Sequence, residues 1–199
     1  MKIILIGSTG DIGQAALTEL STRHDIIEVS RNNGDIQADI SDRQSIIDMY
    51  RKTGKIDAVV STAGNVHFGP LNEFTQEQFM LGLTNKVMGQ INVVLEGLNY
   101  VNDGGSFTLT SGVLDRDPIR MGSGAATANG AIGGFVTGSA IEMPRGLRIN
   151  VVSPGLLDVS EARYGSFFPG HERVASERVG RAYAKSIEGA STGKVIIVE

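Results

Sequence analysis

No cysteine occurs among the 199 residues, which excludes a disulfide scaffold, thiolate zinc sites and thiol catalysis. Long apolar runs are missing as well. The stretch from Met1 to Ile6 is broken by Lys2 and stops at Gly7, too short for a signal peptide or a membrane span. A cytoplasmic protein without a membrane partner is therefore expected. Charge of one sign does not accumulate either: the net charge is −4 and the pI near 5.4. That mild acidity argues against nucleic acid as the main partner. Hydrophobic residues at 41% and charged residues at 20% suit a globular chain, which at this length buries roughly 70% of its unfolded surface. Glycine is what the chain has in excess, 26 of 199 residues, about twice the usual level. No tract, repeat or linker absorbs these glycines, so residues 1–199 are expected to form one domain in which they have specific uses.

Apolar runs of four to six residues alternate with longer helical stretches. Strands are expected at Lys2–Ile6, Ile26–Ser30, Ala58–Ser61, Ser106–Thr110, Arg148–Val152 and Val195–Val198. Helices are expected at Ile12–Ser21, Arg43–Thr53, Thr84–Tyr100, Ala125–Glu142 and Val174–Lys185. The first run is apolar on both faces, as a buried parallel strand requires. Strands separated by ten or more helical residues form βαβ units, so the fold class is α/β: a doubly wound parallel sheet, Rossmann-like, in a single domain.

Gly7-Ser8-Thr9-Gly10-Asp11-Ile12-Gly13 follows the first strand and opens the first helix. In a dinucleotide fold such glycines serve a tight turn, backbone approach to the pyrophosphate and close helix packing. The helix N-terminus adds N–H groups and the positive end of its dipole. A plain turn would also use glycines; the position between strand and helix favours a dinucleotide. At the end of the second strand an NAD site wants a carboxylate for the ribose hydroxyls. Ser30 and Arg31 stand there instead, a hydroxyl and a guanidinium suited to a 2′-phosphate. NADP(H) is the expected cofactor, against the alternative that Arg31 is a solvated loop residue.

Further motifs line up over nearly the whole chain. Ala38-Asp39-Ile40 follows the second strand, and the third ends in Ser61-Thr62-Ala63-Gly64. That ending resembles the Asn-Asn-Ala-Gly motif of short-chain dehydrogenases/reductases, with Ser61 and Thr62 in place of the asparagines. Ser111 ends the next strand, as the family's catalytic serine does. Asn150-Val151-Val152-Ser153-Pro154-Gly155 is similar to the family's Asn-x-Val-x-Pro-Gly, and Thr192-Gly193 before the last strand also matches. The resemblance implies that Asp39 and Ile40 flank the adenine and that Thr62, Ala63 and Gly64 run beside the cofactor ribose. It further implies that Pro154 and Gly155 lie by the nicotinamide carboxamide. A small-molecule substrate and a homodimer or homotetramer built on two long helices are implied as well.

The departures fall at the centre of the motif set. The family's tyrosine and lysine, four residues apart, align with Ala125 and Asn129, and no tyrosine lies between residues 101 and 163. The family's helix-borne Asn-x-x-Gly reads Lys86-Val87-Met88-Gly89; a slip of one residue would put Asn85 in the asparagine's place. The candidate catalytic residues are Ser111, Lys86 and Asn129. Lys86 would project toward the other two and return a cation to the site, where burial lowers a lysine pKa. The alternative is a solvated helix lysine. The leading expectation is an NADP(H)-dependent oxidoreductase acting on a small carbonyl/alcohol or activated alkene. The missing pair keeps two alternatives open: an NADP(H)-binding sensor, or a non-redox lyase or isomerase on the same fold.

Remaining features are read on both sides. His67 either faces substrate or packs in its loop; His24 and His171 are expected at the surface, and three scattered histidines give no metal-ligand spacing. Gly189-Ala190-Ser191-Thr192-Gly193 has the Gly-x-Ser-x-Gly spacing but leads into a strand rather than from a strand into a helix, so it is not the elbow of an α/β-hydrolase. Gly130, Gly134 and Gly138 recur every four residues beside Gly133 and share one helix face. Each costs about 1 kcal/mol relative to alanine, which points to close backbone approach, by a partner helix or by the sheet. About twenty residues lie between Pro154 and the last expected helix, among them Tyr164, Phe167 and Phe168. They would either close over substrate or be pinned to the core, and Tyr164 is a candidate replacement for the missing phenol.

Overall fold

Apolar alternation in β1 (Lys2–Ile6) sends Ile4 and Ile6 into one core and Ile3 and Leu5 into another. A strand buried on both faces belongs in the middle of a parallel sheet, and that is where the computed structural model, which describes residues 1–199, has it. The other strands are β2 (Asp25–Ser30), β3 (Ile36–Gln37), β4 (Ile56–Ser61), β5 (Val101–Thr110), β6 (Arg148–Pro154), β7 (Leu156–Leu157), β8 (Arg173–Val174) and β9 (Val195–Val198). Seven of them form one all-parallel sheet in the order β3-β2-β1-β4-β5-β6-β9, while β7 and β8 pair separately. The order reverses between β1 and β4, the switch point at which doubly wound sheets bind ligands.

Helices cover both faces. α2 (Arg43–Thr53), α3 (Gln76–Gly82), α4 (Gly89–Gly97) and α5 (Ser123–Ser139) follow the order of the chain, and α2, α4 and α5 bury residues such as Ile46, Val93 and Ile132 against one side of the sheet. α1 (Asp11–Leu20) and α7 (Ser176–Glu188) share the other side through Ala16, Leu20, Val179 and Tyr183. There Gly180 lets the two helices touch, because a Cβ at that position would lie 2.6 Å from Ala15 O. The short α6 (Glu161–Tyr164) lies in the segment between β7 and β8. No helix is long and apolar enough to cross a membrane.

Two expectations change. The helix expected over Thr84–Tyr100 is a π-helical turn, Leu83–Met88, running into α4. Such turns insert a residue into the helical register and recur at functional sites. The glycine face of α5 is mostly open: a Cβ at Gly130, Gly134 or Gly138 would find nothing within 4 Å, and only Gly133 reaches the sheet, at Val195 of β9, 3.9 Å away. Packing within the chain therefore does not explain that face.

Candidate functional site

The C-terminal ends of β1, β4, β5 and β6 open onto two adjoining cavities. The first, about 310 Å³, is lined by Gly7, Thr9, Gly10, Arg31, Asp39 and Ala63 among others. Gly7 has φ +87°, and a Cβ there would lie 2.7 Å from Thr62 Oγ1. Only glycine combines that backbone with that closeness. Thr62 Oγ1 in turn bonds Ile6 O at 2.9 Å, tying the end of β4 to the glycine loop. α1 starts after Gly10 without a side-chain cap, which leaves its first N–H groups for a ligand. Gly13 packs inward, where a Cβ would lie 2.1 Å from Gly7 O, and the Ser8 hydroxyl is buried without a partner.

At the rim, the Ser30 hydroxyl accepts from Asn33 N at 2.9 Å, closing a local turn, while Arg31 is exposed. Ile40 and Thr62 also line the cavity. The Asp39 carboxyl is held below the usual carboxylate range, chiefly by the Ser41 hydroxyl that donates to it at 2.7 Å. Gly64 is close not to open space but to Lys86: a Cβ would lie 2.6 Å from Lys86 Cγ. Its backbone, φ +143°, and the lysine side chain form the partition between the two cavities.

The second cavity, about 430 Å³, is mostly apolar and contains Lys86, Ser111 and Asn129. Lys86 Nζ donates to Asn129 Oδ1 at 2.7 Å and to Ser111 O at 3.1 Å. Asn129 Nδ2 donates to Gly112 O at 3.1 Å. The Ser111 hydroxyl is buried and has no partner, so it is free for a ligand in this cavity. Burial lowers the Lys86 pKa to about 8, opposed by the negative charge of Asp115. The slip that would have exchanged Asn85 for Lys86 does not occur. The π-helical turn turns Asn85 toward the first cavity, where its Oδ1 accepts from Asn65 N at 2.8 Å, and Lys86 toward the second. Ala125 is on the wall.

Ile12, Pro154 and Gly155 line this second cavity rather than the first. Ser160, Tyr164, Phe167 and Phe168 close it from the segment between β7 and β8. Asp11 anchors that segment: Ser160 Oγ and the Arg163 guanidinium both bond its carboxylate, which is held below its ordinary pKa, first by Ser160 and then by Arg163. The Asp11 side chain is thus engaged by the lid and lines neither cavity. Tyr164 stacks under Arg163, 5.5 Å from guanidinium to ring, and is half exposed. His67 packs edge-on against Phe74 with centroids 5.2 Å apart and lines neither cavity.

A family model described as enoyl-(acyl carrier protein) reductase matches residues 7–188. The chain belongs to the short-chain dehydrogenase/reductase family. A short-chain dehydrogenase/reductase from Pestalotiopsis microspora, GME11373, is 31% identical over 128 residues, covering 60% of this chain and 46% of its own length. The chain thus spans about half the length of that relative. Elsinochrome reductase 1 from Elsinoe fawcettii is 28% identical over 89% of this chain and 77% of its own. Among solved structures, the protein lin1944 from Listeria innocua is 45% identical over all of both chains, with a TM-score of 0.99. A small-chain dehydrogenase in complex with NADPH is 27% identical, covers 100% of this chain and 96% of its own, and has a TM-score of 0.86.

Two residues make contacts at this site that the sequence did not show. Gln90 of α4 is fully buried; its Nε2 donates to Thr110 O at 2.9 Å and its Oε1 accepts from Thr110 N at 2.8 Å. It clamps the residue before Ser111, whose own N–H donates to Val152 O at 3.0 Å. The second is Asp11, read as loop backbone but engaged through its carboxylate. A polar residue in a helix otherwise apolar toward the sheet is the signal for Gln90.

The Lys86 pKa has a stability consequence with a defined sign. A native value near 8 lies below the unfolded value of 10.5, so between these the unfolded chain binds the extra proton and stability rises with pH. Urea denaturation of the protein and of Lys86→Met should therefore show the parent gaining about 1 kcal/mol on the variant from pH 8 to 10.5, the full effect being screened at a half-buried group. A constant difference over that range would mean that the ammonium is not desolvated.

Proposed function

We propose that this chain is an NADP(H)-dependent oxidoreductase that interconverts a small carbonyl, or an activated alkene, with its reduced form, all 199 residues making one dinucleotide-binding domain. The observation that carries the reading is the hydrogen bond from Lys86 Nζ to Asn129 Oδ1 beside the unpartnered Ser111 hydroxyl. It supplies a proton donor and a cation in a chain without the family's tyrosine–lysine pair.

The residues of the first cavity suit the cofactor. Gly7, Ser8, Thr9 and Gly10, with the N–H groups of Asp11, Ile12 and Gly13, would hold the pyrophosphate. Arg31, with no ion pair of its own, would take the 2′-phosphate beside Ser30. Asp39 and Ile40 would flank the adenine, Thr62, Ala63 and Gly64 the ribose, and Pro154 and Gly155 the nicotinamide end. The NADPH complex of the small-chain dehydrogenase relative supports this assignment.

A nicotinamide held by these residues would supply the hydride chemistry. The Ser111 hydroxyl donates to the substrate oxygen and fixes its position. Lys86 Nζ has two N–H groups committed to Asn129 Oδ1 and Ser111 O. Its third delivers the proton to that oxygen in reduction, and the neutral amine takes it back in oxidation. A pKa near 8 lets one group do both around neutrality. The apolar wall keeps bulk water from the oxygen and strengthens the field of the cation. Tyr164, half exposed and stacked under Arg163, has no part in proton transfer on this reading.

Stopped-flow loss of NADPH absorbance across a panel of aldehydes, ketones and enones tests it. Turnover is expected, with kcat falling about 10²–10³-fold in Ser111→Ala and 10²–10⁴-fold in Lys86→Met, which also loses the inflection near pH 8. Tight NADPH binding with no turnover on any substrate would replace this reading with a sensor of NADP(H). In the same protein, Arg31→Ala should weaken NADPH about tenfold or more and leave NADH unchanged; equal losses for the two nucleotides would remove Arg31 from the 2′-phosphate.

The open glycine face of α5 is the proposed contact of a homodimer or homotetramer, with exposed Met88 and Leu95 presented from the neighbouring helix. Gly134→Leu, whose Cβ would find no atom of its own chain within 4 Å, should lower the sedimentation coefficient to that of a smaller species; an unchanged assembly would exclude this face.

A further inference from the structure

The second cavity has an unusual charge pattern for a protein of net charge −4. Its charged lining residues are Lys86 and Arg120, both basic, and no aspartate or glutamate lines it. The carboxylates around it are committed elsewhere. Asp11 holds Ser160 and Arg163, Asp115 pairs with Arg116 at 3.2 Å, Asp117 lies 3.4 Å from His171, and Glu161 bonds Arg173. Arg120 enters none of the protein's salt bridges or side-chain hydrogen bonds and is exposed at the apolar rim, its stem against the wall and its guanidinium open to a ligand.

The backbone holds that arginine in place at some expense. Arg120 is the second residue of a tight turn closed by Gly122 N–H to Ile119 O at 3.2 Å. Met121, which follows it, has φ +63°, a left-handed conformation that costs a non-glycine residue about 1–2 kcal/mol. Gly69 N–H donates to Met121 O at 3.0 Å and fastens the strained residue to the loop after β4. A side chain at Gly122 would lie 3.1 Å from Ile119 O. Ile119, Arg120 and Met121 all face the cavity, so the turn presents a guanidinium between two apolar side chains.

We propose that the substrate is an amphipathic carbonyl compound bearing a carboxylate, an oxo acid with an apolar body, whose carboxylate is bound by Arg120. This assignment rests on the oxidoreductase reading for the position of the carbonyl, which lies at Ser111 and Lys86. Arg120 offers planar, paired donors that match a carboxylate, and one unpaired guanidinium at the rim balances a monoanion. Lys86 cannot serve the same purpose, because two of its three protons are taken and the third is directed to the substrate oxygen. The apolar body between the two ends lies against Val66, Leu114, Phe167 and Phe168. Arg120 is then a specificity residue: it selects the acid over the ester and has no part in proton transfer.

The test is calorimetric titration of the protein loaded with oxidised NADP+, which cannot reduce a carbonyl, with benzoylpropionate and with a straight-chain oxo acid of similar size, each beside its methyl ester. The acids should bind at least about tenfold more tightly than their esters. Arg120→Gln should remove that preference while leaving ester affinity and NADPH affinity unchanged, and Arg120→Lys should retain part of it. Equal affinity for acid and ester in the parent, failure of both acids to bind, or an equal loss for acid and ester in Arg120→Gln would overturn the assignment. Binding is read without turnover, so the two readings fail separately. Acid preference without NADPH consumption would sink the oxidoreductase reading and leave Arg120 as the anion site. Turnover of acid and ester with equal KM would do the reverse.

Discussion

A cation within an apolar cavity has to find its acceptors in the protein, since an unpaired ammonium there costs several kcal/mol. Lys86 finds Asn129 Oδ1 and Ser111 O, and three other elements are arranged around that requirement. Gly64 has no side chain because a Cβ would strike the lysine stem at 2.6 Å. The π-helical turn Leu83–Met88 sends neighbouring residues to different cavities, Asn85 to one and Lys86 to the other. Gly112 brings its carbonyl to Asn129 Nδ2, where a Cβ would lie only 3.1 Å from the amide nitrogen. The amide of Asn129 thus accepts on one side and donates on the other, which fixes its orientation. Removing any of these would leave the lysine, the amide or a backbone carbonyl without a partner.

The same economy of contacts separates scaffold from site at the ends of the strands. β5 is held just before Ser111 by Gln90, which bonds both backbone groups of Thr110, and by Thr110 Oγ1 bonding Ser61 O at 2.6 Å and Tyr183 Oη at 2.6 Å. The backbone N–H, carbonyl and hydroxyl of Thr110 are therefore all paired, and the Ser111 hydroxyl one residue further is not. A rigid, satisfied second layer beneath an unsatisfied hydroxyl is how a fold positions a group for a ligand rather than for itself. The lid follows this logic at longer range, since Asp11 at the start of α1 grips Ser160 and Arg163 and couples the roof of one cavity to the loop that floors the other.

Much of this was legible in the sequence, and where it was not the reasons are physical. The six main strands were read because a parallel strand must be apolar on both faces, and β1 and β9 have the bounds that pattern implies. The two-residue strands β3, β7 and β8 are too short to carry a period. α3 was missed although Thr75 and Gln78 form a capping box, because only Gly82 in it is buried and no apolar stripe marks it. The convergence of Lys86, Ser111 and Asn129 was expected from family spacing, but the π-helical turn that produces it has no sequence signature. Gly64, assigned to the cofactor, lines the first cavity and is also constrained by Lys86. Glycine records that something comes close without recording what.

On the proposed reading, the exchange at the centre of the site has a chemical logic. Lys86 holds the position of the family's helix asparagine, and Asn129 that of the family's lysine. A cation and an amide have changed places across one hydrogen bond of 2.7 Å. Where the family divides the work between a phenol and a lysine, a single nitrogen here is both the proton source and the positive charge. That combination works only if the nitrogen can lose its proton near neutrality, which a solvated lysine cannot do. Burial supplies the condition by bringing the pKa to about 8. The apolar character of the cavity is then part of the acid–base chemistry as well as a surface for substrate. A polar residue introduced beside Lys86 would resolvate the ammonium and return it toward an ordinary lysine, without touching either of its hydrogen-bond partners.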